Sequence, residues 1–221
     1  MSVSDFMTKN LVVAQPEMKI FDAVDLMKKN NIHRLPVVKG EQVIGLITEG
    51  TIQSAMPSKA TSLSVYEVNY LLNKTTVADI MVKDVQTIKP EASLEDGIFK
   101  MRQNNIGVLP VVDANKTLVG IITNNDIFDA FLKITGYNDG GSRVQLRIPE
   151  DHKGILADIT KLLADNDFSI LTVVVNRKEL ETIIELQIES RETQQIEKIL
   201  KEANYDVFEA TFISKKNLKS E

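Results

Sequence analysis

The sequence predicts an α+β chain: two copies of a βαββα unit related by a pseudo-twofold axis, followed by one βαββαβ unit. Three observations carry this prediction. First, the N-terminal half is written twice. Met7/Met81, Pro16-Glu17/Pro90-Glu91, Met27/Met101, Asn30-Asn31-Ile32/Asn104-Asn105-Ile106 and Leu35-Pro36-Val37-Val38/Leu109-Pro110-Val111-Val112 match at a constant offset of 74. Gly45-Leu46-Ile47-Thr48 then matches Gly120-Ile121-Ile122-Thr123 at an offset of 75. Second, each copy places a helical apolar period before two short β-rich runs. Third, beyond Gly136 the pattern changes to strict alternation at Val144, Leu146 and Ile148, so a different unit begins.

Each copy reads as strand, helix, strand, strand, helix. Ile20, Val24 and Met27 fall at i, i+4 and i+7, as do Leu94, Ile98 and Met101, and Ser93 with Asp96 marks a helix start. Leu35–Val38 and Val43–Ile47, like Leu109–Val112 and Leu118–Ile122, are strand runs joined by polar turns, and a second helix follows Thr48 or Thr123. Between the copies, Ser64 to Glu67 has capping-box spacing ahead of an apolar helix that would pack between repeats or across a dimer. The C-terminal unit adds a helix from Gly154, strands Ser169–Val175 and Thr182–Ile188, a helix through Ile196, Ile199 and Leu200, and a closing strand Val207–Ile213. That order is a split β-α-β arrangement of ferredoxin-like type. The expected boundaries are 1–60 for the first repeat, 61–76 for the connecting helix, 77–135 for the second repeat, 136–142 for a hinge, 143–214 for the last domain and 215–221 for a solvated tail.

Composition narrows the function classes. The chain has 221 residues, 43% hydrophobic and 26% charged, enough for one large core or two modest ones. No apolar run reaches the ~20 residues that span a bilayer, and residues 1–5 lack the basic and apolar regions of a signal peptide, so the expected location is cytoplasmic. With no cysteine and only His33 and His152, neither disulfides nor a transition-metal site is expected. A net charge of -5 without a basic block argues against nucleic acid. No Ser/His/Asp set, Cys/His pair or phosphate-binding glycine loop appears, so no enzyme is expected.

The repeats resemble a tandem pair of CBS domains, named for cystathionine beta-synthase. The resemblance rests on Met-x8-Pro, on Ile-x-x-Leu-Pro-Val-Val, and on Gly-h-h-Thr-x-x-Asp at Gly120 to Asp126, where h is apolar. Leu146 to Leu156, followed by Phe168-Ser169-Ile170, resembles an ACT domain. The order CBS, CBS, ACT is similar to the acetoin-utilisation protein AcuB family, which implies regulation, with acetoin or acetyl-CoA metabolism as its setting.

The resemblance also implies roles for residues in which the copies differ. Aspartate offers two acceptor oxygens to a ribose diol, and in nucleotide-binding CBS domains Thr123 and Asp126 would hold that sugar. Thr51 stands in the place of Asp126 in the first copy, and Gly107-Val108 stands in the place of His33-Arg34 in the second. One composite site is expected, with Asp126 and Thr123 on the ribose, His33 and Arg34 on phosphates, and Thr87, Gly107 and Val108 bordering the base. The opposite cleft, Thr48 and Thr51 against Gly107 and Val108, is expected to lack a cation. Each residue has a plainer reading: Asp126 and Thr123 as helix-start caps, His33-Arg34 as solvated strand residues, Gly107 as a packing glycine. Asp151, His152 and Gly154 form the candidate ACT effector loop, where His152-Lys153 replaces the usual small residue and proline, and dimerisation is the alternative role.

The expected protein is a homodimeric, non-catalytic sensor of an adenine nucleotide, needing no cofactor. AMP, ADP and ATP are favoured over S-adenosylmethionine by Arg34, and a partner enzyme is the expected target. The alternative is a structural dimerisation or interaction module with a vestigial cleft.

Overall fold

The structure is a computed structural model and describes residues 1–55, 74–150, 152–178 and 181–215. It is α+β, in two compact units, Met1–Ile127 and Phe128–Glu221. The expected connecting helix falls almost wholly on residues 56–73, and most of the expected tail on 216–221, both outside the described residues.

In the first unit, helix α1 (Ile20–Lys29) buries Ile20, Ala23 and Met27, and strands β1 (Arg34–Lys39) and β2 (Gln42–Thr48) pair antiparallel before helix α2 (Glu49–Ala55). A short helix α3 (Val77–Ile80) then leads into α4 (Leu94–Asn104), which buries Leu94, Gly97 and Met101 at the same spacing as α1. The hairpin of β3 (Val108–Val112) and β4 (Leu118–Thr123) follows, and α5 (Asn124–Ile134) begins directly after it. Both hairpins carry a bulge at equivalent points, Val37/Val38 and Val111/Val112. Helices α1 and α4 are each followed by an asparagine in the left-handed region, Asn31 at φ 52° and Asn105 at φ 51°. Asparagine tolerates that conformation better than most side chains, so the repeated Asn-Asn pair turns the chain from helix to strand in both copies.

The first strand expected in each copy is reduced to a single bridge. Ala14 pairs parallel with Val37, and Ile88 with Val111. Pro16 and Pro90 follow two residues later, and proline supplies no N–H with which to extend a ladder.

The two repeats exchange their lead-in segments. Residues before α1 pack on the second repeat, where Val3 N–H donates to the Ala92 carbonyl at 2.9 Å and Thr8 pairs with Ile121. Residues around α3 return the exchange, with Val77 N–H donating to the Met18 carbonyl at 2.8 Å and Val82 pairing with Leu46. Two buried strand glycines accept the incoming methionines: a Cβ on Gly120 would collide with Met7 Sδ, and one on Gly45 with Met81 Sδ. Each lead-in is fastened by a carboxylate three residues after a hydroxyl. Ser2 N–H donates to Asp5 Oδ2 at 2.8 Å. Thr76 N–H and Oγ1–H donate to Asp79 Oδ2 at 2.8 and 2.7 Å. In both cases the backbone hydrogen bond comes first and the hydroxyl second in holding the carboxyl below the usual aspartate range.

The second unit runs β5 (Gly141–Ile148), α6 (Ile155–Ala164), β6 (Ile170–Arg177), β7 (Thr182–Ile188), α7 (Thr193–Glu202), β8 (Asp206–Ile213), with strand order β6-β7-β5-β8. Val144, Leu146, Ile184 and Leu186 lie with Ile159, Leu163, Ile196 and Leu200 in one core between sheet and helices. The alternate positions carry polar pairs: Gln145 Nε2 donates to Glu185 Oε2 at 2.7 Å, and Arg147 Nε lies 2.9 Å from Glu181 Oε2. Gly141 has φ 101°, and a side chain there would strike the Ile188 carbonyl, so β5 can begin there only on glycine.

Two expected outcomes follow from the exchanged segments. Gly45→Ala should cost about 1–3 kcal/mol of unfolding stability, and Gly120→Ala less. At Gly120 the three nearest atoms all belong to the Met7 side chain, whereas at Gly45 the Val82 carbonyl oxygen is among them, 3.2 Å from the new methyl. Denaturant melts that rank the two in the opposite order would show that the backbone there is not the limit. The depressed carboxyls of Asp5 and Asp79 add stability above the ordinary aspartate range, and that stability is lost as pH falls through their lowered folded values. Acid titration of the melting temperature below about pH 4 should therefore be steeper for the native chain than for Asp79→Asn; parallel curves would exclude the contribution.

Candidate functional site

The two helix starts that follow β2 and β4 share a backbone but differ in their remaining acceptors. In the second repeat, Thr123 N–H and Oγ1–H both donate to Asp126 Oδ2, at 2.6 and 2.7 Å. Among the described residues, the other oxygen, Oδ1, meets only the Thr8 hydroxyl, at 3.4 Å. One carboxylate oxygen thus caps the helix, and the other stays open to a donor from outside. In the first repeat Thr51 performs the same cap. Its Oγ1 accepts from Thr48 N–H at 2.7 Å and donates to the Thr48 carbonyl at 2.7 Å. Thr48 Oγ1 accepts from Thr51 N–H at 3.1 Å. Both hydroxyls of the first copy are spent on the turn itself.

The strand starts meet these turns in register. Arg34 stands across from Thr48, and Val108 across from Thr123. The helix behind each is tied to the residue before: Glu49 N–H to the His33 carbonyl at 3.1 Å, Asn124 N–H to the Gly107 carbonyl at 3.2 Å. His33 Nδ1 lies 3.0 Å from Glu49 Oε2, both side chains more than half exposed, so the pair contributes little to stability. Arg34 is half-buried, and its guanidinium has no hydrogen-bond or ion-pair partner among the described residues. It points toward Gly107: a Cβ there would lie 3.3 Å from Arg34 Nη2 and 2.8 Å from Asn124 Nδ2. Two donors without a partner among the described residues, one on each repeat, therefore converge beside Gly107, where a side chain would displace them.

Beside them is a cavity of about 390 Å³, within the range of small-molecule sites. His33, Arg34, Gly107 and Val108 line it, together with Thr48 and Glu49 at the first repeat's helix start and residues Asp84, Val85 and Gln86 from the exchanged lead-in. The expectation that the Thr48 side lacks a cation does not hold, because Arg34 reaches into that cavity from its own repeat, directly opposite Thr48 in the hairpin. Thr123 and Asp126 do not line this cavity, nor does Thr87, whose carbonyl accepts from Lys100 Nζ at 2.7 Å. The structure thus brings four of the seven expected nucleotide residues together and places Asp126 and Thr123 on a neighbouring turn. Sequence reasoning missed Asn124, although it follows Thr123 directly at a helix start. It also missed Asp84 to Gln86, because the exchange of lead-ins cannot be read from one repeat alone.

In the second unit, Gly154 has φ 100° and precedes α6, and it lines a cavity of about 230 Å³ with His152, Lys153, Arg177 and Thr182. Asp151 lies outside the described residues. Among the described residues, no helix is long and apolar enough to cross a membrane.

Comparison with known proteins gives this geometry a family. A CBS-domain profile matches residues 3–58 and 77–133, and an ACT-domain profile matches 142–205. A crystal structure of a putative acetoin utilization protein (AcuB) from Vibrio cholerae aligns at 26% identity and a TM-score of 0.53, covering 63% of this chain and 96% of that one. CBSX2 from Arabidopsis thaliana, solved in complex with AMP, aligns at 29% identity and a TM-score of 0.51 over 60% of this chain and 97% of the other. A CBS domain pair solved with 5′-methylthioadenosine and S-adenosyl-L-methionine aligns at 30% identity and a TM-score of 0.50, over 59% and 95%. Among curated sequences, a homoserine O-acetyltransferase from Methanosalsum zhilinae is 36% identical over 127 residues, 57% of this chain and 23% of that protein. The chain spans less than half the length of the first curated relatives it matches.

Proposed function

Because the chain belongs to the CBS-domain family and carries an ACT domain after its CBS pair, we propose that it is a non-catalytic regulatory protein that senses an adenine nucleotide or adenosyl compound between its two repeats. The observation that carries this reading is the unequal cap: Asp126 has a second oxygen, met only loosely by the Thr8 hydroxyl at 3.4 Å, which Thr51 lacks. A carboxylate oxygen with room for a donor at a helix start suits a ribose diol, and Arg34, which has no partner among the described residues, suits a phosphate. The ligands of the two similar CBS pairs, AMP in one and adenosyl thioethers in the other, support the adenosine part. Arg34 favours AMP, ADP or ATP over S-adenosylmethionine. The enzymes among the curated relatives support no catalytic reading, since the match takes in less than a quarter of the homoserine O-acetyltransferase.

A cytoplasmic homodimer is part of the same proposal. The edge strand β6 exposes Leu171, Val173 and Val174, an apolar edge of the kind that natural sheets pair or cover. The ligand can shift only a conformation that it binds differentially, so the regulated states would differ in repeat packing or in ACT association. The AcuB neighbour supports acetoin utilisation as the setting; acetyl-CoA metabolism and a partner enzyme as the target belong to the proposal alone.

Isothermal titration with AMP, ADP, ATP and S-adenosylmethionine tests the reading. Asp126→Ala should weaken nucleotide binding by about 1.5–3 kcal/mol, the range for a hydrogen bond to a charged group. Asp126→Thr should do the same while copying the cap of the first repeat, so the fold survives. Thr51→Ala should leave affinity within about 0.5 kcal/mol of the native value, as substitutions away from a specific interaction do. An Asp126→Thr protein that binds as tightly as the native chain would remove the ribose assignment.

A further inference from the structure

The chain holds seven methionines and no cysteine, so a thioether is its only oxidisable sulfur. Their surroundings divide them. Met27 and Met101, on the inner faces of α1 and α4, are all but sealed from solvent, and Met1 is exposed. Met56 lies outside the described residues. Met7, Met18 and Met81 are half-buried, partly open to solvent. Of these three, Met7 and Met81 press their sulfur onto a strand glycine, Gly120 and Gly45, so closely that a Cβ there would collide with it.

Those two contacts are where an added oxygen changes most. Oxidation turns a flexible apolar thioether into a polar, chiral side chain that seeks a hydrogen-bond donor. The backbone donors beside each sulfur are already committed. Thr8 and Ile121 exchange N–H bonds at 2.9 and 3.0 Å, and Leu46 and Val82 exchange two at 2.9 Å. At Gly45 the Val82 carbonyl shares the crowded place with the Met81 sulfur, so a sulfoxide oxygen there meets a second acceptor. The oxygen is left to compete for the committed donors or to swing toward water, and either one unseats the side chain. Both bridges also border the cleft. Val82 and residues Asp84 to Gln86 follow Met81 and wall the cavity beside Arg34, while Thr8 follows Met7 and reaches Asp126 Oδ1 at 3.4 Å.

We propose that Met7 and Met81 form a paired oxidation site, through which a peroxide loosens the exchange of lead-ins and with it the cleft. In the forward step the O–O bond of hydrogen peroxide breaks and one oxygen joins Sδ. The sulfur gives up two electrons, and the other oxygen leaves as water with both protons. The return step takes a dithiol reductant of the methionine sulfoxide reductase class: the S–O bond breaks, its oxygen leaves as water, and the two thiols end as a disulfide. The effect on the cleft rests on the function proposed above; the oxidation and the loosening do not.

The test treats the full chain with hydrogen peroxide, follows each methionine by peptide mass spectrometry, and compares thermal melts and AMP titrations before and after. Met7 and Met81 should each gain one oxygen ahead of Met27 and Met101. The melting temperature should fall by about 4 °C or more. AMP affinity should fall about tenfold, as it does when only about a tenth of the molecules keep the competent form. Methionine sulfoxide reductase with dithiothreitol should restore both. The double substitution Met7→Leu with Met81→Leu keeps the side-chain volume and should resist the same treatment, whereas Met18→Leu should give no protection. Met7→Gln with Met81→Gln, polar at the same two places, should melt lower without peroxide. Equal loss of stability in the treated native and leucine-substituted chains overturns the site. So do sulfoxides at Met7 and Met81 that leave the melt unchanged, a glutamine-substituted chain that melts like the native one, or a peroxide dose that converts Met1 and Met18 while sparing both. An oxidised chain that melts lower but binds AMP as before overturns the effect on the cleft. A native chain that never binds AMP, yet melts lower once oxidised, removes the nucleotide reading and supports the oxidation site.

Discussion

The N-terminal unit depends on two strand glycines being empty. Each repeat supplies one two-stranded hairpin and two helices, too little to bury its own apolar faces. The chain solves this by sending the first residues of each copy across to the other, with a methionine at the tip of each lead-in. Met7 needs the space above Gly120, and Met81 needs the space above Gly45. The interaction is reciprocal, so loosening one side also frees the lead-in that shapes the opposite hairpin. The backbone bridges Thr8–Ile121 and Leu46–Val82 lie directly beside these contacts, which makes packing and hydrogen bonding a single constraint. Methionine suits the role because its unbranched, polarisable side chain fills an irregular gap without demanding one rotamer.

Upon that symmetric frame the sequence writes an asymmetric site. The caps of α2 and α5 are interchangeable in what they do for the helix and differ only in the oxygen left over. Likewise the strand starts share their tether to the following helix, yet one carries His33-Arg34 and the other Gly107-Val108. The difference is not an ornament on two separate sites. A cation on one copy and a gap on the other are complementary, since the Arg34 fork occupies the space that a side chain at position 107 would fill. Restoring symmetry in either direction would give two arginines facing each other or two empty strand starts. Divergence at these positions is therefore what allows a single charged group to sit near the pseudo-twofold axis.

How far this was legible in the sequence follows from the range of each interaction. The duplication, the helical period of α1 and α4, the Asn-Asn turns and the alternation of β5 are local signals, and they describe the fold well. The first strand expected in each copy is a single bridge because Pro16 and Pro90 end the pairing there. The chemistry of Asp126 and Arg34 was visible as residue type. Their relation was not, because the cavity wall at Asp84 to Gln86 belongs to an exchanged segment, and which hairpin that segment joins is decided by packing between copies. The assignment of a cation to one cleft alone failed for the same reason: position along a strand says which repeat owns Arg34, but not which neighbour its long side chain reaches.

A side chain near a pseudo-symmetry axis has a property that no residue of a single repeat can have. Arg34 is registered against Thr48 of its own repeat and reaches Gly107 and Asn124 of the other, so a change at either start alters its surroundings. Its stem is fixed by β1, which is paired along its whole length, while its fork ends in a space walled by Asn124 of the other copy. A ligand on that guanidinium would therefore meet groups of both copies at once, which is what a site shared by two repeats requires.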